Sequence, residues 1–247
     1  MISKSQISFI KSLQQKKLRK EHGLFIAEGL KSISEFVNSD YVIDTIFYTE
    51  NVMPKLGKLS QNIKAIEISA GDLTKISSLT TPQQFLALIK IPESRVLTTQ
   101  MLKGSFSIAL DGIQDPGNLG TIIRTADWFG FNRVICSEDT VDVYNAKVVQ
   151  ATMGSLSRVH VEYTDLKALL QNCSLPVFGA LLNGKSIYKT DFGSEGLVIL
   201  GNEGKGIRPE IIDKITYPVT IPSFGKAESL NVAISASIFC SEMRRNS

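Results

Sequence analysis

Apolar and polar positions alternate along this chain in two rhythms, and the switches between them predict its elements. Ile7, Ile10, Leu13 and Leu18 recur at near-helical intervals and predict one amphipathic helix within the first twenty residues. Short runs rich in β-branched and aromatic residues then predict strands over 24–27, 42–48, 63–68 and 85–91. Helical patterns over 29–38, 52–59 and 70–78 separate these runs, which predicts a small α/β/α sandwich. From 92 to 104 the chain carries Pro92, Glu93, Ser94, Thr98, Thr99 and Gly104, a linker-like composition. A domain boundary is therefore expected near residue 100, dividing 1–100 from 101–247.

The second half alternates as well, with strands predicted over 106–110, 133–137, 158–162, 177–181, 197–200 and 218–222. Helices are predicted over 121–129, 146–153, 166–171 and 229–244. Three strand ends open into polar or glycine-rich loops: 112–120, Leu182-Asn183-Gly184, and Gly201-Asn202-Glu203-Gly204-Lys205-Gly206. An open α/β sheet binds its ligand at such strand ends. The glycine run reads G-x-x-G-x-G, which is neither the dinucleotide fingerprint G-x-G-x-x-G nor a P-loop, because no Ser or Thr follows Lys205. A nicotinamide or nucleoside-triphosphate site is thereby disfavoured.

Composition narrows the class. The 247 residues leave room for two domains, and 43% hydrophobic content is ordinary for a globular chain. No apolar run is long enough to span a bilayer, and the first residues lack the apolar core of a signal peptide. Three widely separated cysteines and two histidines provide no metal-ligand spacing. These features predict a cytoplasmic protein with reduced thiols, no metal and no membrane partner. The net charge of +3 says little, but residues 1–20 hold Lys4, Lys11, Lys16, Lys17, Arg19 and Lys20 and no acid. On its own, such a run is a solvated helix face.

The three loops taken together are more specific. Asn118-Leu119-Gly120-Thr121-Ile122-Ile123-Arg124-Thr125-Ala126 resembles the first motif of the TrmH/SpoU branch of the SPOUT RNA 2′-O-ribose methyltransferases. Leu200-Gly201-Asn202-Glu203-Gly204-Lys205-Gly206-Ile207 is similar to the second motif. Ile221-Pro222 and Glu228-Ser229-Leu230-Asn231-Val232-Ala233-Ile234-Ser235 are similar to the third, and Met153-Gly154-Ser155 matches a small-residue segment between them. Order and spacing agree across 106–245. Phe25-Ile26-Ala27-Glu28-Gly29 is similar, over a shorter stretch, to the L30e-like substrate-binding domain that precedes this catalytic domain.

The resemblance implies an L30e-like sandwich followed by a SPOUT α/β domain knotted as a trefoil, acting as a homodimer. It implies S-adenosyl-L-methionine as cofactor, with Gly201, Ile221 and Leu230 lining its pocket and Leu182, Gly206 and Ala233 as neighbours. It gives Arg124 the central part in activating the ribose hydroxyl. A guanidinium is too weakly acidic to serve as a literal base, so the expected role is to hold the adjoining phosphate and stabilise the developing alkoxide. Asn118 would orient RNA or Arg124, Glu203 would fix the loop, and Ser229 and Asn231 would position the ribose. In front of such a domain, Lys16, Lys17, Arg19 and Lys20 are expected to contact RNA phosphates.

Plainer readings stand beside these. Asn118 fits a turn or helix cap, Glu203 a loop cap and Ser229 a cap for the last helix. Trp128 is expected in the core. Asp111 and Asp115 do not read as an acid–base pair, and His22 and His160 have no evident partner. The two-domain layout favours ribosomal RNA, 23S above all, over transfer RNA. A non-catalytic RNA-binding protein of the same fold and an α/β enzyme acting on a small molecule are the competing classes.

Overall fold

A computed structural model of the chain describes residues 2–50, 52–56, 63–93 and 96–245. It divides into two compact units, Met1–Glu93 with Asp142–Ser157, and Ser94–Val141 with Arg158–Ser247.

The first unit begins with two helices where one is predicted. Helix α1 (Lys4–Ser12) is opened by a capping box in which Ser3 and Gln6 satisfy each other's backbone N–H. The chain turns at 13–15 and resumes as α2 (Lys16–His22). The cause lies in Arg19, whose Nη1 donates to the carbonyls of Leu13 at 2.8 Å and Gln14 at 2.7 Å. Its Nη2 meets Asp142 at 2.5 Å. The side chain is 3% exposed, so Arg19 is an internal tie and not part of the RNA-facing surface expected for it. Lys16, Lys17 and Lys20 are exposed.

Behind these helices, β1 (Leu24–Glu28), β2 (Ile43–Tyr48), β3 (Lys64–Glu67) and β4 (Phe85–Lys90) form one sheet in the order β1-β4-β2-β3. Only the β2–β3 pair is parallel. Helices α3 (Leu30–Val37) and α4 (Ala70–Ile76) complete the alternation. Ile10, Leu13, Ile26, Leu73, Ile76 and Leu86 form the buried core, so α1 and the sheet exclude water together. Of the helix predicted over 52–59, Met53–Leu56 is a short 3₁₀ turn and 57–59 lie outside the described residues. The segment Asp142–Ser157, flanked in sequence by strands of the second unit, packs in the first. Its α5 (Ala146–Thr152) lies against β1, and the ring of Tyr144 is 4.7 Å from that of Phe25.

The second unit is built on a parallel six-stranded sheet. Its strands are β5 (Phe106–Asp111), β6 (Arg133–Ser137), β7 (His160–Thr164), β8 (Val177–Ser186), β9 (Gly196–Gly201) and β10 (Tyr217–Thr220). They lie in the order β10-β8-β9-β5-β6-β7. The central β5 and β9 are buried almost throughout, which explains why both read as apolar runs and not as alternating patterns. Helices α6 (Pro116–Trp128) and α7 (Leu166–Gln171), the short α8 (Pro209–Ile212) and the C-terminal α9 (Val232–Arg244) surround the sheet.

Three boundaries differ from expectation. Helix α6 starts at Pro116 because the Asp115 carboxylate caps the N–H of Asn118 at 2.7 Å, with Pro116 at the first helical position. Asp115 is thus the cap, and Asn118 lies inside the first turn. Helix α9 starts at Val232 because the Asn231 side chain accepts from the N–H groups of Ala233 and Ile234, which leaves Ser229 outside the helix. Strand β8 runs through the predicted Leu182–Gly184 loop, but its pairing with β10 skips from Gly179 to Lys185, so those residues form an excursion. Trp128, expected in the core, is 84% exposed on α6.

Candidate active site at the strand ends of the second unit

Helices α6 and α9 pack together and carry two of the three motifs. Thr125 and Ser237 hydroxyls meet at 3.2 Å across the pair. At its far end, Arg244 donates to the carbonyls of Phe129 and Gly130 at 2.9 Å each, its guanidinium lying over the rings of Phe106 and Phe131. These contacts hold the later halves of the two helices together, and the Asn231–Asn118 bond joins their starts. The apolar side of α6 holds Leu119, Ile122, Ile123 and Ala126 in the core. The opposite row, Gly117, Thr121, Arg124 and Trp128, is exposed.

The result is a chain of three side chains, one from each motif. The Asn118 amide donates to Glu203 Oε1 at 2.8 Å, and the Asn231 amide donates to Asn118 Oδ1 at 3.0 Å. Asn231 Oδ1 faces the opening N–H groups of α9, at 2.9 and 3.3 Å. Each asparagine is therefore oriented by bonds at both ends of its amide. Arg124 stands six residues beyond Asn118 on α6 with its side chain exposed. Ser229 is exposed in the segment leading into α9.

The glycine loop is a closed turn. Asn202 and Gly206 exchange two backbone bonds at 2.9 and 3.0 Å, and Asn202 Oδ1 accepts from the N–H groups of Gly204 and Lys205. A Cβ on Gly201 would collide with the backbone of Gly206 and Ile207, so no other residue closes this turn.

The same strand ends present residues whose types suit a nucleoside. Leu182 is 76% exposed and Leu230 is open to solvent, while Ile221 is half-buried just past β10. The Thr220 hydroxyl donates to the carbonyl of Leu182 at 3.0 Å, tying the β8 excursion to the segment that carries Ile221. Ala233 is buried in the first turn of α9, and Gly206 is exposed at the end of the glycine loop. Open apolar side chains beside backbone polar groups are what an adenosine moiety requires, and this donor set fits one. Among the described residues there is no cluster of His, Cys, Asp and Glu able to hold a metal ion.

Beneath this site lies a pair that the sequence did not join, Asp111 having been set aside there as an acid–base group and Arg208 unremarked. Asp111 and Arg208 form an ion pair at 2.5 Å, with the carboxylate wholly buried. Hydrogen bonding to the Asp111 carboxylate pushes the Arg208 guanidinium above its ordinary value. Asp139, 3.7 Å from Arg208, is held below the usual carboxylate range, first by hydrogen bonding from Ser137. An acid that ends an apolar strand was the available signal for Asp111.

Comparison with known proteins adds lineage to this geometry. The model of the SpoU rRNA Methylase family matches residues 105–241, and that of the MRM3-like substrate binding domain matches residues 4–87. The 23S rRNA (guanosine(2553)-2'-O)-methyltransferase RlmP of Bacillus subtilis is 30% identical over 239 residues, which cover 95% of this chain and 94% of that protein. A solved TrmH-family structure from Porphyromonas gingivalis is 37% identical with a TM-score of 0.91, and each chain is covered to 100%. The AdoMet-bound rRNA methyltransferase from Sinorhizobium meliloti is 28% identical with a TM-score of 0.88, covering 99% of this chain and 97% of that one. With three motifs joined side chain to side chain and a family model spanning more than half of its length, the chain belongs to the SpoU rRNA Methylase family.

Proposed function

We propose that this protein methylates a ribose 2′-OH in 23S ribosomal RNA, using S-adenosyl-L-methionine. The hydrogen-bonded chain Glu203–Asn118–Asn231 carries the reading, because it holds one side chain from each motif in register. The cofactor supplies an electrophilic methyl group, and Gly201, Gly206, Leu182, Ile221, Leu230 and Ala233 would hold it. The chain's own task is to bring the hydroxyl into line and to stabilise the oxygen as it loses its proton.

Arg124, exposed on the outer row of α6, would be the cation for that task. It would grip the phosphate next to the target ribose and stabilise the alkoxide, with that phosphate or solvent taking the proton. Ser229 would contact the ribose. Asn118 and Asn231 both have their amide oxygen and nitrogen engaged within the protein, which supports a role in holding the constellation in shape. Glu203 would anchor the glycine loop to α6. Lys16, Lys17 and Lys20 of the first unit would engage RNA phosphates.

Three further features belong to the same reading. A trefoil knot is supported by close backbone passages in the second unit: a Cβ on Gly184 would lie 2.6 Å from the Pro218 carbonyl carbon. A homodimer is supported by Trp128 and Ile234, exposed on α6 and α9. A cytoplasmic location is supported by the free thiols of Cys136, Cys173 and Cys240. No helix among the described residues is long and apolar enough to cross a membrane.

Mapping 2′-O-methylation in RNA from cells with and without the gene tests the target. Loss of one methylated nucleotide from 23S rRNA is expected. Loss confined to transfer RNA would reassign the substrate, and unchanged maps would favour a binding protein that has kept the fold.

A further inference from the structure

Strand β5 ends on a carboxylate that has no access to solvent. Asp111 Oδ2 accepts from the backbone N–H of Arg208 at 2.7 Å, and Oδ1 accepts from Arg208 Nε at 2.7 Å. Burying a carboxylate is costly unless it is both paired and hydrogen-bonded, and here Arg208 provides backbone and side-chain donors together. That residue lies two positions past Gly206, where the glycine loop leads into α8. On the loop's opposite limb, the Asn202 amide donates to the carbonyl of Gly112 at 2.7 Å. Two consecutive residues at the end of β5 therefore grip both limbs of the loop. Gln114 extends the lacing, donating to the carbonyl of Asp139 at 2.6 Å.

We infer that Asp111 and Arg208 are positioning residues for the methyl donor. They hold the 201–206 loop in the one shape that presents its backbone to S-adenosylmethionine, and they touch neither the donor nor RNA. The inference rests on that loop's being the cofactor site. Without the carboxylate, the loop samples other shapes, and apparent affinity falls with the fraction that remains competent. Arg124 lies outside the loop, on a helix set by the Asp115 cap and the α6–α9 packing, and α6 meets the loop through the Asn118–Glu203 bond; saturating cofactor selects the competent loop shape and restores that bond, so chemistry at saturation persists.

The test compares the intact protein with Asp111→Asn and Arg208→Lys, by calorimetric titration with S-adenosylhomocysteine and by steady-state methylation of RNA. In Asp111→Asn, the dissociation constant and the cofactor KM are expected to rise at least about tenfold, with kcat within about threefold. Arg208→Lys keeps the backbone donor and the positive charge, and a rise of roughly threefold is expected. A fall in Tm with the dissociation constant within about twofold of wild type overturns the inference and leaves the pair purely structural. A fall in kcat at unchanged KM also overturns it. If the wild type itself does not bind S-adenosylhomocysteine, the cofactor reading of the loop fails first and takes this inference with it. Should Asp111→Asn not fold, Arg208→Lys is judged by whether its dissociation constant rises at all.

Discussion

Arg19 on α2 and Arg124 on α6 are both helix arginines, and the two units treat them in opposite ways. The first unit surrounds Arg19 with acceptors: two carbonyls from the preceding turn and the carboxylate of Asp142. The second unit fills the buried side of α6 with Ile122, Ile123 and Ala126 and leaves Arg124 on the outer row. A guanidinium enclosed by its own protein holds a fold together. One left open on the outer row of its helix is available to a substrate. Charge alone does not separate the two, whereas the acceptors around each do.

The contrast is broken most forcefully by removing Arg19. Arg19→Ala leaves Asp142 without its partner and is expected to cost about 3–5 kcal/mol of stability, read by denaturant unfolding. A loss below about 1 kcal/mol would show that the buried pair is dispensable. Arg124→Ala is the opposite case. Turnover is expected to fall at least about a hundredfold, the scale of one lost oxyanion donor, with stability and S-adenosylhomocysteine affinity unchanged. Equal turnover in the variant would remove Arg124 from the chemistry. The smallest effect belongs to the exposed lysines: replacing Lys16, Lys17 and Lys20 with Ala should flatten the log–log salt dependence of RNA binding by about 2. An unaltered slope would return that face to ordinary solvated surface.

Much of this was legible in the chain because the local rules and the fold agree. The strands predicted over 106–110 and 197–200 are present as β5 and β9, and the residues of the three motifs converge at the ends of that sheet. What escaped was set by partners far off in sequence. Arg19 reads as part of a basic face because Asp142 is 123 residues away. Pro116 and Gly117 read as loop, yet the Asp115 carboxylate makes them the first turn of a helix. Asn231 reads as a helix interior residue and is the cap, because its carbonyl oxygen takes the first free N–H groups. Trp128 reads as core by residue type, while its place on the row of Arg124 sets it outside. The Asp111–Arg208 pair was invisible for the same reason as Arg19.

The packing of Asp142–Ser157 within the first unit has a consequence for biosynthesis. A ribosome that has released the first 93 residues has not released a complete unit. Phe25, fully enclosed in the finished protein, still lacks the ring of Tyr144, and Arg19 still lacks Asp142. Domains generally fold as units as they emerge, N-terminal first. Here the first to begin cannot finish until residue 157 has cleared the exit tunnel, after the opening strands of the second unit have been made. For that interval the nascent chain carries an uncovered apolar face and an arginine without its carboxylate.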